Sequence, residues 1–419
     1  MSYSVIGKNV PRVDALDKVL GTAKYADDME FPDMLWVKML TSPHSHAQIL
    51  DIDTRKAEAL PGVVGVLTHK DIPLNAFGYT FKDQPVLAEG KVRYYGEPVA
   101  AVAAETEDIA ARAVKLIEVK YKELPAIYDP REALKPGARS VHVGGNLTYH
   151  RKIRWGDIDK GFKQSDEIFE DDFSTQWQEQ AFLEPHCGTA VADSSGKVTI
   201  WSSVQSPFFI QSQTCGVLKM PSTKVRIIQT PCGGGFGGKN EITVEPLTAL
   251  FALRTKRPVK MRWTREDEFI TSTVQHRWYM HYKTGVKRDG RMVAMQIEIY
   301  VDNSPYTTWG YGQMSKGSIL CRGPYNIPNG KVDSYLVYTN TPLSGALRAF
   351  GVVQVTAARE VHIDRIAREL AIDPLKFRLR NVMKDGDLTA TGQVVHSVGA
   401  RDTMTAAAKA AGWDIGGEA

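Results

Sequence analysis

The sequence predicts an α+β protein of two unequal units, a compact one over about residues 15–125 and a larger mixed one over about 145–419. Three observations carry this. A chain of 419 residues has room for two to four domains at roughly 100–200 residues each. Apolar residues make up 43% of it, enough to build cores and too much for a disordered chain. The stretch Pro125–Arg139 carries three prolines and mixed charge, and so reads as a linker over about 126–144.

Before that linker the elements are short. Residues 1–30 are polar and turn-rich and read as an extended lead-in. LWVKML and AQILDID are strand-like, Thr54–Leu60 a short helix, and VVGVLTH a strand ending at Lys70-Asp71. In VRYYGEPVAAVAAET the Gly-Glu-Pro break separates two strands, and VAAVAA has no polar residue, as a fully buried strand requires. Thr106 is placed to cap a helix running to Val114, with Glu107 and Asp108 in its first turn. LIEVKYKEL alternates apolar and charged residues, so it is a half-exposed strand.

Beyond the linker, FEDDFST, GTAVADSSGKVTIWSS and KVRIIQT read as strands, and a helix near Glu245–Leu253 leads into the strand VKMRW. Asp289-Gly290 marks the turn of a long hairpin. Val355, Ala358, Val361, Ile366, Ala367 and Leu370 are expected on one helical face, and DPLKFRLRN restarts a helix behind Asp373-Pro374.

Composition excludes several functions. Fifty-two basic against 48 acidic residues leave a net charge of +4, an ordinary mixed surface that argues against nucleic-acid or membrane-surface binding. No apolar run approaches the ~20 residues of a membrane helix. Cys187, Cys215, Cys232 and Cys321 lie far apart, without metal-thiolate spacing. The start, MSYSVIGKNVPRVD, lacks a secretory pattern, so a cytoplasmic location with reduced thiols is expected. Asn146-Leu-Thr then carries no glycan.

The most informative segment is KVRIIQTPCGGGFGGKNEITVE. Gly233, Gly235 and Gly238 satisfy a dinucleotide fingerprint, and Gly238-Lys239 most of a phosphate loop. The first lacks an acidic residue at the end of a second strand, and the second fails at Asn240, where Ser or Thr is needed. Five glycines around Phe236 nevertheless bring backbone closer to something than a Cβ permits, with free N–H groups forming an anion-binding concavity.

GGGFGGK after a strand resembles the molybdenum-site segment of the xanthine dehydrogenase (molybdenum hydroxylase) family. Other motifs follow the same order. YGEPVAAVAAET is similar to the family's α/β-hammerhead domain and QAFLEPHCGTA to the opening of its first molybdenum-binding domain. SSVQSP, ALRAFGVVQ and DPLKFRLRN complete the set over roughly residues 15–400.

The resemblance implies roles. Gln205 would hydrogen-bond the apical oxo ligand of molybdenum. Gly235, Phe236 and Gly237 would make main-chain contacts to the cofactor. Arg348 would meet a ligand oxygen through its backbone and neutralise the cofactor with its charge, and Phe350 would stack on a flat substrate. No side chain would ligate the metal directly. Two positions depart from the purine-oxidising pattern: Asn240 stands for a carboxylate, and Lys316 for an arginine. Asn cannot bind as an anion and Lys is a point charge, which suits a substrate carboxylate or phenolate. Trp309 and Tyr311 are candidate pocket walls. ALRAFG has no cysteine, which excludes the copper-dependent carbon monoxide dehydrogenases of the family.

Full-length family members continue through a second molybdenum-binding domain that carries most pterin contacts and a general-base glutamate. Glu184, Glu241 and Glu245 belong to other motifs, so that glutamate is expected on a partner chain, as in the split nicotinate-dehydrogenase type. A truncated chain would explain the length equally simply, but the polar tail GWDIGGEA favours the split. The implied cofactor is molybdopterin, in the plain or the cytosine dinucleotide form, with [2Fe-2S] and FAD on partner subunits. The expected reaction is hydroxylation of a nicotinate-like or purine-like ring with oxygen from water. Reductive dehydroxylation of a phenolic substrate and a cofactor-free structural subunit stay open as alternatives.

Overall fold

The computed structural model describes residues 3–414, so the last five residues of the polar tail lie outside it. Its largest sheet has seven strands in the order Val225–Gln229, Val198–Ser202, Cys187–Ala192, Val259–Arg262, Leu35–Thr41, Pro98–Ala104 and Val63–Thr68. The three strands before the linker join the four after it by parallel pairing of Leu35 with Val259. The two units therefore share one sheet. Glu107 reinforces the junction by pairing with Lys38 (2.9 Å) and Arg262 (2.8 Å).

Pro98–Ala104 lies inside this sheet with Val99 to Ala104 all at 0% exposure. Its side chains alternate between two cores, Ala101 and Ala103 into the larger and Ala100 and Val102 into the smaller. Small residues let both layers close on one strand, which explains the unbroken apolar run. The helix behind it, Glu107–Val114, is capped as expected, with the Thr106 hydroxyl accepting from Ile109 N–H at 3.2 Å. Lys91–Val92, Ala47–Asp53 and Glu118–Glu123 form a separate three-stranded sheet.

The second large sheet has five strands, ordered Leu147–Trp155, Asn329–Val337, Met292–Asp302, Trp278–Val286 and Glu167–Ser174. Its hairpin turns at Gly290, whose φ of 87° suits glycine. Val352–Glu369 packs over it through Val355, Ala358, Ile363, Ile366 and Ala367. Val361, expected on this face, is 59% exposed. At about 100° per residue it lies some 120° round from Val355, and Ile363 takes the core position instead.

One other expectation is corrected, and two helices appear that the sequence reading did not announce. The lead-in is not wholly extended: it holds a short helix, Ala15–Val19, and a 3₁₀ turn, Ala26–Asp28. WGYGQMSKG is helical over Gly310–Leu320. Its glycines permit close packing rather than turning, since a Cβ on Gly317 would lie 2.4 Å from buried Trp278. The helix Pro207–Leu218 has no amphipathic pattern to announce it in the sequence. Asn146 is 6% exposed, with its amide donating to Ala133 and Arg139 carbonyls and accepting from Val141 N–H, so it staples the connecting segment.

Candidate functional site

Strand pairing gathers the site at one end of the seven-stranded sheet. Val198–Ser202 and Val225–Gln229 run parallel with Ser202 opposite Gln229, so the segments after them, Gln205 and the glycine run, emerge side by side. Cys187–Ala192 pairs antiparallel with the first of these, so Glu184 and His186 precede it at the same end. Crevices at the carboxyl ends of strands are the usual ligand position in open sheets of this kind.

The glycine run is a loop with defined donors. Gly234 (φ 100°), Phe236 (φ 50°) and Gly237 (φ 106°) are all left-handed. A Cβ on Gly237 would lie 2.6 Å from the Ala346 carbonyl oxygen, so glycine is required there. Gly233 N–H donates to Glu184, Gly237 and Lys239 N–H to Gln205 Oε1, and Gly238 N–H to the Gly235 carbonyl. Among the described residues the N–H groups of Gly234, Gly235 and Phe236 have no partner. Three successive amides without a partner are the donors that the expected anion-binding concavity calls for.

Gln205 stands over this loop. Two N–H donors converge on one end of its side-chain amide, at 2.9 Å from Gly237 and 3.3 Å from Lys239. That end must be the oxygen, so the NH₂ end is left as a donor on the exposed side. Phe236 is 47% exposed beside it.

The ALRAF loop comes from the other half of the unit. It is held by the parallel bridge of Val274–Gln275 with Ser344–Gly345 and by Gln180 Nε2 donating to the Ala346 carbonyl at 2.7 Å. Arg348 N–H donates to the Phe236 carbonyl at 2.7 Å. The backbone contact expected of Arg348 is thus already made within the protein, and its exposed guanidinium is what remains for a ligand. Ala349, Phe350 and Gly351 are consecutively left-handed, at φ 78°, 52° and 88°. Strain of this kind clusters at functional sites, and here it lays Phe350 over the helix Gly310–Leu320, 3.1 Å from where a Cβ on Gly312 would sit.

Lys316 lies one turn beyond Gly312, exposed, with Nζ 6.0 Å from the centre of the Phe350 ring. Trp309 meets Phe350 edge-on at 5.9 Å and stacks on Tyr79 at 4.4 Å, with Phe209 5.3 Å away. Tyr311 points elsewhere: it packs on Tyr149 and accepts from Arg151 at 3.3 Å. Asn240 has both ends of its amide engaged, accepting from Ser206 Oγ at 2.6 Å and donating to the Gly237 carbonyl at 3.1 Å. It braces the loop. The structure thus brings Gln205, Gly235, Phe236, Gly237 and Arg348 together, and Phe350 with Lys316. Tyr79 and Phe209 escape sequence reasoning because no local pattern sets them apart from other loop and helix aromatics.

The three glutamates are accounted for. Glu184 pairs with Lys239 at 2.9 Å. Glu245 accepts from Ser202 Oγ at 2.6 Å and from Thr243 N–H at 2.8 Å. Glu241 is buried behind the ALRAF loop. Its amide neighbours, Glu241 and Ala346 N–H, oppose desolvation without reaching hydrogen-bond geometry, so burial pushes its carboxyl up to about 8. None of the three is exposed beside Gln205.

The glycine loop, Gln205 and Arg348 leave five donor groups unpartnered: three amides, an NH₂ and a guanidinium. Such an edge fits a group rich in anionic oxygen, and a molybdenum–pterin carries one in its oxo ligands and phosphate.

Comparison with known proteins agrees. A molybdopterin cofactor-binding domain model matches residues 141–382, and the a/b hammerhead domain of aldehyde oxidase and xanthine dehydrogenase matches 20–125. The chain is 41% identical to the nicotinate dehydrogenase large molybdopterin subunit of Eubacterium barkeri, over 96% of this chain and 95% of that one. It is 39% identical to a probable xanthine dehydrogenase subunit of Bacillus subtilis, covering 93% of this chain but 52% of that one. It therefore spans about half the length of that relative. The aldehyde oxidoreductase of Desulfovibrio gigas superposes with a TM-score of 0.92 at 31% identity, over 96% of this chain and 46% of that one. Quinoline 2-oxidoreductase of Pseudomonas putida 86 does so at 0.90 and 28%, over 97% and 54%. With its hammerhead domain followed by a molybdopterin-binding domain, the chain belongs to the xanthine dehydrogenase (molybdenum hydroxylase) family, as a molybdopterin-binding subunit.

Proposed function

We propose that this chain is the large molybdenum-cofactor subunit of a multi-subunit, cytoplasmic hydroxylase acting on an N-heteroaromatic ring, with nicotinate-like or purine-like substrates. The supporting observation is the Gln205 amide, held oxygen-inward by two backbone N–H groups so that its NH₂ faces the open side. That orientation suits donation to an oxygen ligand of the cofactor. When bound, the molybdenum–pterin supplies the two-electron oxidation, with oxygen drawn from water.

The chain's own residues do the holding and orienting. The free amides of Gly234, Gly235 and Phe236 cradle the cofactor's oxygens, and Arg348 balances its charge. Phe350 provides an aromatic face for a flat ring. Lys316, beside that face, attracts an anionic substituent such as a carboxylate. A second molybdopterin-binding subunit completes the pocket and carries the general-base glutamate, and [2Fe-2S] and FAD subunits remove the electrons. The cofactor is molybdopterin, in the plain or the cytosine dinucleotide form.

The complex co-purified with its partners should contain near-stoichiometric molybdenum. It should also transfer oxygen from isotopically labelled water into an N-heteroarene. A complex without molybdenum, or one that only dehydroxylates hydroxyarenes, would overturn the reading.

A further inference from the structure

Beneath the glycine loop lies a buried ion pair that the reaction itself does not use. Lys239 is fully buried, with Nζ 2.9 Å from Glu184 Oε2 and 4.8 Å from the centre of the Phe182 ring. The same Glu184 oxygen accepts Gly233 N–H at 2.6 Å. One carboxylate oxygen thus ties both ends of the loop, Gly233 at its start and Lys239 at its close. A buried ammonium held to a single carboxylate cannot wander, because leaving that partner would strand both charges out of water.

The main chain of Lys239 is what holds Gln205. Its carbonyl accepts Gln205 N–H at 2.9 Å, and its N–H is one of the two donors on Gln205 Oε1. The other donor, Gly237 N–H, lies two residues away in the same tied turn. Releasing the Lys239 end lets these donors diverge, and the amide loses the two contacts that distinguish its oxygen end from its nitrogen end. A flipped amide would present its carbonyl to the open side, where it repels an oxygen ligand instead of donating to it.

We propose that Lys239, through its ion pair with Glu184, is the positioning residue that sets the outward polarity of the Gln205 amide. The inference rests on the proposed role of Gln205 toward the cofactor for its consequence in turnover, but the tether itself stands on the loop geometry alone.

The test compares Lys239→Met, Gln205→Ala and their combination in the purified complex. It reads hydrogen–deuterium exchange over residues 232–240, molybdenum content, and kcat and KM per molybdenum. Lys239→Met should speed exchange at the Gly237 and Lys239 amides about tenfold or more. It should also lower kcat at least tenfold with KM within about twofold, as for loss of an interaction made with the reacting cofactor. Added to Gln205→Ala, it should cost no further kcat, since a residue acting through Gln205 has nothing left to act on. Unchanged exchange, an unchanged kcat per molybdenum, or losses that multiply in the double variant would each overturn the proposal. If Lys239→Met fails to assemble because Glu184 is left unpaired, Glu184→Gln with Lys239→Met removes both charges and is read against the same outcomes. A wild-type complex devoid of molybdenum would remove the functional reading, and the exchange arm would still decide whether Lys239 sets the loop.

Discussion

Two glycine-rich segments touch the ALRAF loop, one at Ala346 and Arg348 and the other at Phe350, and do opposite things. Gly233–Gly238 is an open loop with three amides that have no partner among the described residues, whereas Gly310–Gly317 is part of a helix whose first intrahelical bond runs from Gln313 N–H to the Trp309 carbonyl. In the loop, glycine supplies left-handed backbone and room beside Gln205 and Ala346. In the helix it supplies only the missing Cβ, so that Trp278 and Phe350 can close on the backbone. Glycine therefore signals close approach in both, and what approaches has to be read from elsewhere: a preceding strand end in one case, large aromatics in the other.

Substitutions sharpen this contrast. Gly237→Ala should hurt most. It combines a φ of 106° with a Cβ 2.6 Å from a backbone oxygen, neither of which can yield. A stability loss of about 2–3 kcal/mol, with turnover lost as well, should appear in thermal unfolding and rate assays. Gly317→Ala should cost about 1–3 kcal/mol by overpacking fully buried Trp278, with kcat per folded complex little changed. Equal catalytic damage from both would break the distinction between a ligand-facing loop and a packing helix.

Lys316→Met is a narrower probe. A desolvated lysine–carboxylate contact is worth ~1.5–3 kcal/mol, or roughly ten- to hundredfold in kcat/KM. The loss should fall on an anionic substrate and spare a neutral analogue. Equal losses on both would make the lysine structural. Gly312→Ala should have the smallest effect on stability. Its Cβ would sit 3.1 Å from the edge of half-buried Phe350, which can tilt, and alanine returns up to about 1 kcal/mol of helix propensity. Unfolding should move by less than about 1 kcal/mol, while KM for the aromatic substrate rises as the ring face shifts. An unchanged KM would detach Phe350 from the substrate.

Much of this was legible in the sequence because it was local. The buried strand, the Thr106 cap, the Asp289-Gly290 turn and the glycine loop each announce themselves within a few residues. What stayed hidden depended on partners far along the chain. Tyr79 becomes part of the aromatic cluster only because the sheet joins Leu35 to Val259 and folds the small unit against the larger one. The N–H of Arg348 is consumed by Phe236, 112 positions earlier, and nothing in ALRAF foretells it. Asn240 looks like a free side chain until Ser206 is seen to occupy its oxygen. Glycine in WGYGQMSKG is ambiguous in the sequence because, without Trp278 in view, a packing glycine and a turning glycine look alike.

The proposed role of Gln205 toward the cofactor is tested most directly by one measurement: the turnover of the Gln205→Ala complex at full molybdenum occupancy. The kcat per molybdenum should fall by roughly 10²–10³, the usual cost of removing one preorganised donor, while stability changes by only about 1 kcal/mol. Wild-type turnover in that fully loaded complex would contradict it.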